Sequence, residues 1–331
     1  QPGFKKNTFL QRGYPRAPVD RPRALMATAA AQALAHNPRM AIAINSDTVL
    51  TPPVPSATVI VVRDAPQGLE VLLVRRHGNS AVLGGVHVFP GGKLDAADRA
   101  VDPSTLDRAA ADCALTLNEP GLDAETALAL HVAALRETFE ECGLLLGQVH
   151  RAELAQRVRE LTAAGTGFAA ALQQLGCPVS TASVLPWSRW ITPRVPSVTN
   201  KRFDTRFFVA VAPHGQLAEH CTFEATEAVW MAPRLGLERY WAGEIDLAPP
   251  QIMSLCQLSH LHTAADVMAA ARSRPPALIE PEPFDEDGVR VICYPGDPAH
   301  SIAQRVWPGP TRLAYRNQRF EADGGLAALL A

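Results

Sequence analysis

The chain has 331 residues, of which 47% are hydrophobic and 19% charged, and its formal net charge is −2. This length accommodates one large or two ordinary domains, and the composition is typical of a soluble globular protein rather than a disordered or fibrous one. The small net charge does not indicate nucleic acid as a partner, and no uncharged apolar run reaches the length of a membrane span. Six scattered cysteines without a C-x-x-C pair indicate neither a zinc knuckle nor a disulfide framework.

Hydrophobic periodicity predicts helices and strands along most of the chain. Short apolar runs bounded by Gly, Pro and Asp predict strands, and runs at 3.6-residue spacing predict helices. Strands mixed with helices before and after them predict a layered α/β architecture. In chain order we predict strands over 57–63, 69–74 and 86–89, helices over 106–117, from about 123, over 151–163 and 168–175, strands over 206–211 and 228–231, a long helix over 250–272, and strands over 289–294 and 311–316.

These elements suggest three parts. Residues 1–50 are an N-terminal tail, whose basic start with Gln instead of Met favours a tag or a mis-assigned start. A main domain is predicted over 51–248, with an inserted segment at about 99–128. Residues 249–331 are predicted to form a C-terminal extension of helix and strand.

The most specific pattern is the run 136–144, Arg-Glu-Thr-Phe-Glu-Glu-Cys-Gly-Leu. At about 100° per residue, Glu137, Glu140 and Glu141 fall on one face of the helix that the apolar spacing predicts. Like charges on one face repel each other, and the helix dipole disfavours anions near the C-terminus. The cluster therefore predicts a bound cation, and its all-oxygen ligands suit Mg²⁺. A solvated acidic face is the alternative.

A glycine-rich segment, Phe89-Pro90-Gly91-Gly92, precedes this helix, and double glycine after proline predicts a tight turn where the backbone comes close to another group. Together the two segments resemble the Nudix box, G-x5-E-x7-R-E-U-x-E-E-x-G-U, where U is aliphatic. Gly92 fills the first glycine, Asp98 replaces the first Glu, Thr138 replaces an aliphatic residue, and the charged positions from Arg136 onward match. The resemblance implies the Nudix α/β/α sandwich with a mixed sheet and a pyrophosphatase acting on nucleoside diphosphates linked to another group.

The box is split, because residues 99–135 lie where the ordinary box has seven residues. A long insertion at this place is similar to one Nudix branch, which includes the peroxisomal coenzyme A diphosphatase of mammals and bacterial relatives. The segments 71–76, 190–193 and 201–208 resemble that branch as well. We interpret the insertion as a helical surface segment, and a lid or wall of the substrate pocket is the alternative.

The resemblance also implies roles for individual residues. Glu140 and Glu141 are expected to bind Mg²⁺ or Mn²⁺, with Glu137 as a further ligand or the general base. Arg136 is expected to hold these carboxylates by ion pairing, and Gly92 to let the backbone approach. Further candidates are Arg76, Trp190 and Arg206 for substrate binding, Lys201 and Arg202 as neighbouring cations, and Asp98, Glu224 or Glu227 as an additional carboxylate. Surface charges are the alternative for the cations at 201–206, and an exposed acidic loop is the alternative for the last two carboxylates.

The expected substrate depends on a second motif. Coenzyme A-cleaving members often carry L-L-T-x-R-[SA]-x3-R-x3-G-x3-F-P-G-G before the box. Here Leu72, Leu73, Arg76 and Gly85 match, but Ala81 replaces the second Arg, which removes a plausible phosphate contact. Coenzyme A or an acyl derivative is the first expectation, and ADP-ribose or another nucleotide sugar is the second. A catalytically inactive, nucleotide-binding regulator is the alternative from another class.

We expect a small-molecule nucleotide as the partner, neither nucleic acid nor a membrane, and we leave a homodimer open. The final Ala-Leu-Leu-Ala is not a Ser-Lys-Leu peroxisomal signal, and the cysteines suit a reducing compartment, so a cytoplasmic bacterial protein is expected. His260 and His262 are not expected to bind metal, because residues i and i+2 of the predicted helix face apart.

Overall fold

The computed structural model describes residues 45, 47–78, 83–148, 152–196, 201–219 and 225–331. In this part of the chain the strands are β1 (Val54–Ala65), β2 (Gly68–Arg76), β3 (His87–Val88), β4 (Gly91–Lys93), β5 (Leu185–Ile191), β6 (Phe203–Val211), β7 (Ala225–Met231), β8 (Ala277–Ile279), β9 (Glu282–Glu286), β10 (Val289–Cys293), β11 (Arg312–Arg316) and β12 (Arg319–Glu321). The helices are α1 (Ala110–Leu117), α2 (Ala124–Cys142), α3 (Ala152–Ala163), α4 (Phe168–Gln174), α5 (Pro233–Ala242), α6 (Pro249–Leu258), α7 (Ala264–Ser273) and α8 (Gly325–Leu329).

The larger sheet is mixed. Its strand order is β3-β2-β1-β6-β5-β8, with β4 beside the first half of β1 and β7 beside β2. β1 runs parallel to β6, and β5 runs parallel to β8, whereas the other pairs are antiparallel. A smaller antiparallel sheet, in the order β12-β11-β10-β9, is built from the C-terminal segment alone.

Helices cover both faces of the larger sheet. Val59 and Val61 of β1 join one apolar core with α1, α2, α3 and α4. Ile60 and Val62 join a second core with α5, α6, α7 and the smaller sheet. This division follows from the strand geometry, because successive side chains point to opposite faces. The result is an α/β/α sandwich with a mixed sheet, which confirms the predicted fold.

Helix α2 carries the acidic run and has well-defined ends. Its N-cap residue Asp123 accepts a hydrogen bond from the backbone N–H of Thr126 at 2.7 Å, which satisfies one of the free donors of the first turn. At its end Gly143 adopts a left-handed conformation, and its N–H donates to the Phe139 carbonyl at 2.7 Å. Only glycine adopts this conformation routinely, so the box glycine ends the helix directly after the carboxylates.

Two predicted helices are corrected by the structure. The long helix predicted over 250–272 is two helices, α6 and α7, and Thr263 caps the second by accepting from the Asp266 N–H at 3.1 Å. His260 and His262 therefore lie in the connection and not in a helix. The helix predicted from residue 106 begins at Ala110, because the Asp-Pro-Ser segment before it forms a separate 3-10 turn.

The C-terminal segment is joined to the larger sheet by β8, which pairs with β5 through Trp190 and Ile279. Its apolar side chains share the second core with the sheet. The boundaries predicted at residues 50 and 248 stay predictions. In the described residues no helix combines the length and the apolar character that crossing a membrane requires.

Candidate active site

The glycine-rich segment lies against the acidic face of α2. The Gly91 N–H donates to Glu141 Oε2 at 2.9 Å. A Cβ at Gly92 would lie 2.3 Å from Glu137 Oε1, so any other residue there would force the carboxylate away. The predicted close approach of the backbone is confirmed. The segment is strand β4, paired with β1, and not the tight turn that the sequence predicted.

The acidic face of α2 is mostly covered. Glu141 is 4% exposed, the Glu137 side chain is 13% exposed, and only the Glu140 side chain is half exposed, at 47%. A merely solvated acidic face would leave all three carboxylates in water. Burial of two of them costs free energy unless charge and hydrogen bonds compensate.

Arg136 supplies part of that compensation. Its Nε and Nη2 donate to the two carboxylate oxygens of Asp98 at 2.8 and 2.9 Å, and Nη2 also donates to the Lys93 carbonyl at 3.0 Å. Its Nη1 donates to Glu137 Oε1 and to Glu140 Oε2, both at 2.9 Å. Burial alone would lower the pKa of Arg136, but its bond to Asp98 and the negative charges of Glu137 and Glu140 outweigh burial and raise it. Arg136 thus stays charged and fixes the orientation of these carboxylates.

Asp98 has a different place from the one predicted. It is buried, both of its oxygens accept from Arg136, and Oδ2 also accepts from the Asp95 N–H at 2.8 Å. We therefore correct its assignment as an additional metal carboxylate, because these contacts make it the anchor of Arg136. The shorter Asp at this box position still pairs with the arginine in a bidentate manner.

The donor set fits a hard divalent metal in chemistry and in charge. Three carboxylates contact a single guanidinium and Glu141 lies beside them as a fourth, so the cluster carries excess negative charge. Carboxylate oxygens are the ligands that Mg²⁺ prefers. Within the ranges that the structure describes, no three acidic, His or Cys side chains already converge on one point as a ligand cage. Instead Glu137 and Glu140 accept from Arg136, and Glu141 accepts from Gly91.

A cavity of about 790 Å³ opens beside the carboxylates, which is the size of a site for a cofactor-sized ligand. Glu137, Glu141 and both glycines of β4 line one end. The rest is largely apolar, and its wall residues include Phe89, Trp190, Phe203, Phe207, Pro249 and Ile292.

The predicted substrate contacts divide into two groups. Arg76, Trp190 and Lys201 line the cavity. Arg202 instead donates from Nε to the Thr192 carbonyl at 2.9 Å and holds the chain next to the cavity. Five further residues line the cavity but were not predicted to contact substrate, because they resemble ordinary core or loop residues: Thr58, Phe207, Gln251, Pro281 and Ile292.

Arg206 is placed on the wrong side for substrate binding, and this prediction is corrected. Its Nε and Nη2 donate to the two oxygens of Glu119 at 2.9 and 2.6 Å, and its Nη1 pairs with Asp204 Oδ2 at 2.9 Å. Thr205 and Phe207, its neighbours in β6, face the cavity, so the alternation of the strand points Arg206 to the opposite face. Arg206 is buried and 4% exposed.

Glu119 belongs to the box insertion, and its contacts define what the insertion does. The carboxylate also meets Arg189 Nη1 at 3.0 Å, and Arg189 pairs in turn with Asp204 at 2.7 Å. Among the described residues, none between 99 and 128 lines the cavity. The insertion is therefore bound to β5 and β6 through the ion pairs of Glu119. It does not form a lid or wall of the substrate pocket, which was the alternative interpretation.

Two predicted carboxylates have no established place at the site. Glu227 lies opposite Arg75 in the pairing of β7 with β2, is exposed, and is not among the residues that line the cavity. The structure therefore does not bring it to the box carboxylates. Glu224, like Ala81 of the upstream motif, lies outside the described residues.

The profile of the family described as the NUDT19 Nudix domain matches residues 41–258. The match covers more than half of the chain, and the chain belongs to this Nudix family. A crystal structure of a Nudix hydrolase from Alicyclobacillus acidocaldarius is similar, with a TM-score of 0.50 and 28% identity, over 69% of this chain and 99% of that one. The expected Nudix fold is thereby confirmed.

Curated relatives are similar over the same region. The acyl-coenzyme A diphosphatase NUDT19 of Gallus gallus is 28% identical over 245 residues, covering 61% of this chain and 64% of the relative. The human protein of that name is 27% identical over 241 residues, covering 61% of this chain and 63% of the relative. The matches confirm the expected resemblance to coenzyme A diphosphatases, and they span less than two thirds of the length of these relatives.

Proposed function

We propose that the protein is a metal-dependent Nudix pyrophosphohydrolase that cleaves coenzyme A or acyl-coenzyme A. The observation that carries the proposal is the junction of the box carboxylates with a largely apolar cavity of about 790 Å³. The carboxylate end can hold the cation that hydrolysis of a pyrophosphate requires. The remainder of a coenzyme A substrate is long and needs apolar surface, which the rest of the cavity offers. The printed function of the relatives, acyl-coenzyme A diphosphatase, supports the same substrate class.

In this proposal Glu137, Glu140 and Glu141 hold Mg²⁺ or Mn²⁺. When bound, the metal offsets the charge of the pyrophosphate and lowers the pKa of an attacking water. Arg136 orients the carboxylates through its bonds to Glu137 and Glu140. Glu137, which faces the cavity, would accept the proton of the water at a carboxylate oxygen.

The reaction is a hydrolysis. The water oxygen forms a bond to one phosphorus atom, the bridging P–O bond breaks, and the bridging oxygen leaves with the other phosphate. From coenzyme A the products are adenosine 3′,5′-bisphosphate and 4′-phosphopantetheine. Arg76 and Lys201 line the cavity and supply positive charge for the phosphate oxygens.

A substrate panel tests this proposal. Coenzyme A, dephospho-coenzyme A and ADP-ribose are compared by kcat/KM in Mg²⁺ and in Mn²⁺, with the products identified by mass spectrometry. Since Ala81 replaces the second Arg of the upstream motif, we expect coenzyme A and dephospho-coenzyme A to be cleaved about equally well. A site that reads the 3′-phosphate through a charge-assisted hydrogen bond would lose about ten- to a hundred-fold without it. Preference for ADP-ribose over both would overturn the coenzyme A assignment, and binding without any cleavage would favour the inactive regulator.

Two further points concern the cellular compartment and the oligomeric state of the protein. We infer a cytoplasmic location from the scattered cysteines, which suit a reducing compartment. The sequence leaves a homodimer open. Light scattering on purified protein measures the oligomeric state directly, and a mass of a single chain would contradict the dimer.

A further inference from the structure

The apolar end of the cavity is closed in part by residues that lie beyond the matched family region. The family match ends at residue 258, whereas Pro281 and Ile292 line the cavity. Both belong to the C-terminal segment that forms the smaller sheet and the loop before it. The segment therefore contributes directly to the surface that a substrate would touch.

Ile292 lies in a strand of the smaller sheet and forms part of this wall. It is buried in β10, opposite Pro283 of β9 and Leu313 of β11. Its neighbour Val291 is also buried but does not line the cavity, as expected from the alternation of side chains along a strand. The two residues thus offer a matched pair, one facing the cavity and one not.

The same segment fixes the aromatic wall of the cavity. The Trp190 ring has its centroid 5.9 Å from Tyr294 and 5.2 Å from Trp307, both in the C-terminal segment, and 6.2 Å from Phe207 of β6. Aromatic rings at these separations attract one another in addition to burying apolar area. Trp190 is therefore fixed between the larger sheet and the C-terminal segment.

We propose that Ile292 and Pro281 are specificity-determining residues, which bind the apolar group carried by the non-nucleotide end of the substrate. This assignment depends on the proposed function, in which the pyrophosphate occupies the carboxylate end. A nucleobase needs hydrogen-bond partners for its edge atoms, whereas a hydrocarbon needs only apolar surface, and these two side chains have neither donor nor acceptor. An acyl chain attached to the thiol of coenzyme A matches that surface, and each CH₂ that it buries favours binding about three- to four-fold.

The test compares kcat/KM for octanoyl-coenzyme A and for free coenzyme A in three proteins: the wild type, Ile292→Ala and the control Val291→Ala. We expect the wild type to prefer the octanoyl substrate. Ile292→Ala should reduce that preference about five-fold or more, because the substituted wall leaves part of the chain without contact. Val291→Ala should keep the preference, although it also removes buried carbon atoms.

Thermal melting shows whether each variant is folded, and Ile292→Val provides a milder change if Ile292→Ala unfolds. Ile292→Val should then reduce the preference in the same direction. An unchanged preference in the folded Ile292 variants, or equal losses for both substrates, would overturn the specificity assignment while leaving the proposed function intact. A wild-type protein that cleaves neither substrate would overturn the proposed function and the specificity assignment together.

Discussion

The charge of Glu119 should be among the most important single contributions of the insertion to stability. Its carboxylate meets Arg206 at 2.6 Å and Arg189 at 3.0 Å, and its side chain is 8% exposed. Glu119→Gln preserves the shape but leaves two guanidinium groups with the single carboxylate of Asp204. The substitution therefore leaves an excess positive charge in a mostly buried site.

The exposure of the two arginines limits the loss in the free energy of unfolding that we expect. Breaking a buried ion pair by removing one partner typically costs about 3–5 kcal/mol. Arg206 is 4% exposed, but the Arg189 side chain is 25% exposed and keeps some hydration. We therefore expect the lower end of that range, about 3 kcal/mol, which corresponds to a fall in Tm of about 4 °C.

Differential scanning calorimetry measures this effect, with Glu125→Gln as the control. Glu125 lies in the same insertion but is exposed in the first turn of α2, where a charge contributes about 0.3–1 kcal/mol. Well below the Tm, turnover should change little, because Glu119 does not line the cavity. Equal Tm shifts for both variants would refute the view that Glu119 anchors the insertion.

Four further substitutions test the site and the core. Glu140→Gln and Glu141→Gln should each lower turnover of coenzyme A about a hundred-fold or more while the Tm without metal stays level or rises, since each removes a proposed metal ligand and relieves repulsion on α2. Full activity would contradict the assignment. Gly92→Ala should lower activity and Tm, because its Cβ would lie 2.3 Å from a carboxylate, whereas Gly78→Ala, with open space around it, should not. Burial lowers the pKa of His131 from 6.5 to about 4, so the unfolded chain binds its proton first and stability should fall by about 3 kcal/mol between pH 6.5 and 4. Urea unfolding of His131→Phe should lack that part of the pH dependence, and an unchanged slope would show that this residue is not its source.

The carboxylate cluster could be predicted from the sequence because its geometry is local. Helical periodicity alone places Glu137, Glu140 and Glu141 together, and the glycine that must admit them lies in a recognisable segment. The degree of burial could not be predicted, because it depends on β4 pairing with β1 and covering the face. That pairing connects residues far apart in the chain.

Arg206 shows that a matched motif does not by itself predict on which face of a strand a side chain lies. Asp204 and Arg206 alternate with Phe203, Thr205 and Phe207, and this period-2 pattern already separates the charged side from the cavity side. Nothing in the sequence identified Glu119 as the partner, since 87 positions separate it from Arg206. The motif was correctly matched, but the function assigned to its arginine was wrong.

Apart from Trp190, the apolar half of the cavity was not predicted. Ile292 lies in a predicted strand and has the pattern of a core residue, and Pro281 lies in a connecting loop. Their exposure to a cavity follows only from the packing of the smaller sheet against the larger one through the second core. Side chains that line a pocket and those that fill a core have the same composition when the ligand is apolar.

Release of 4′-phosphopantetheine from coenzyme A, before and after chelation of metal, tests the central claim most directly. The purified protein is assayed with Mg²⁺, then with excess EDTA, and then with Mg²⁺ or Mn²⁺ restored. We predict release with metal, no release after chelation, and recovery on restoring either ion. The reason is that the negative carboxylates of α2 cannot offset the negative charge of the pyrophosphate without a bound cation. Undiminished release in EDTA, or no release under any of these conditions, would contradict the account.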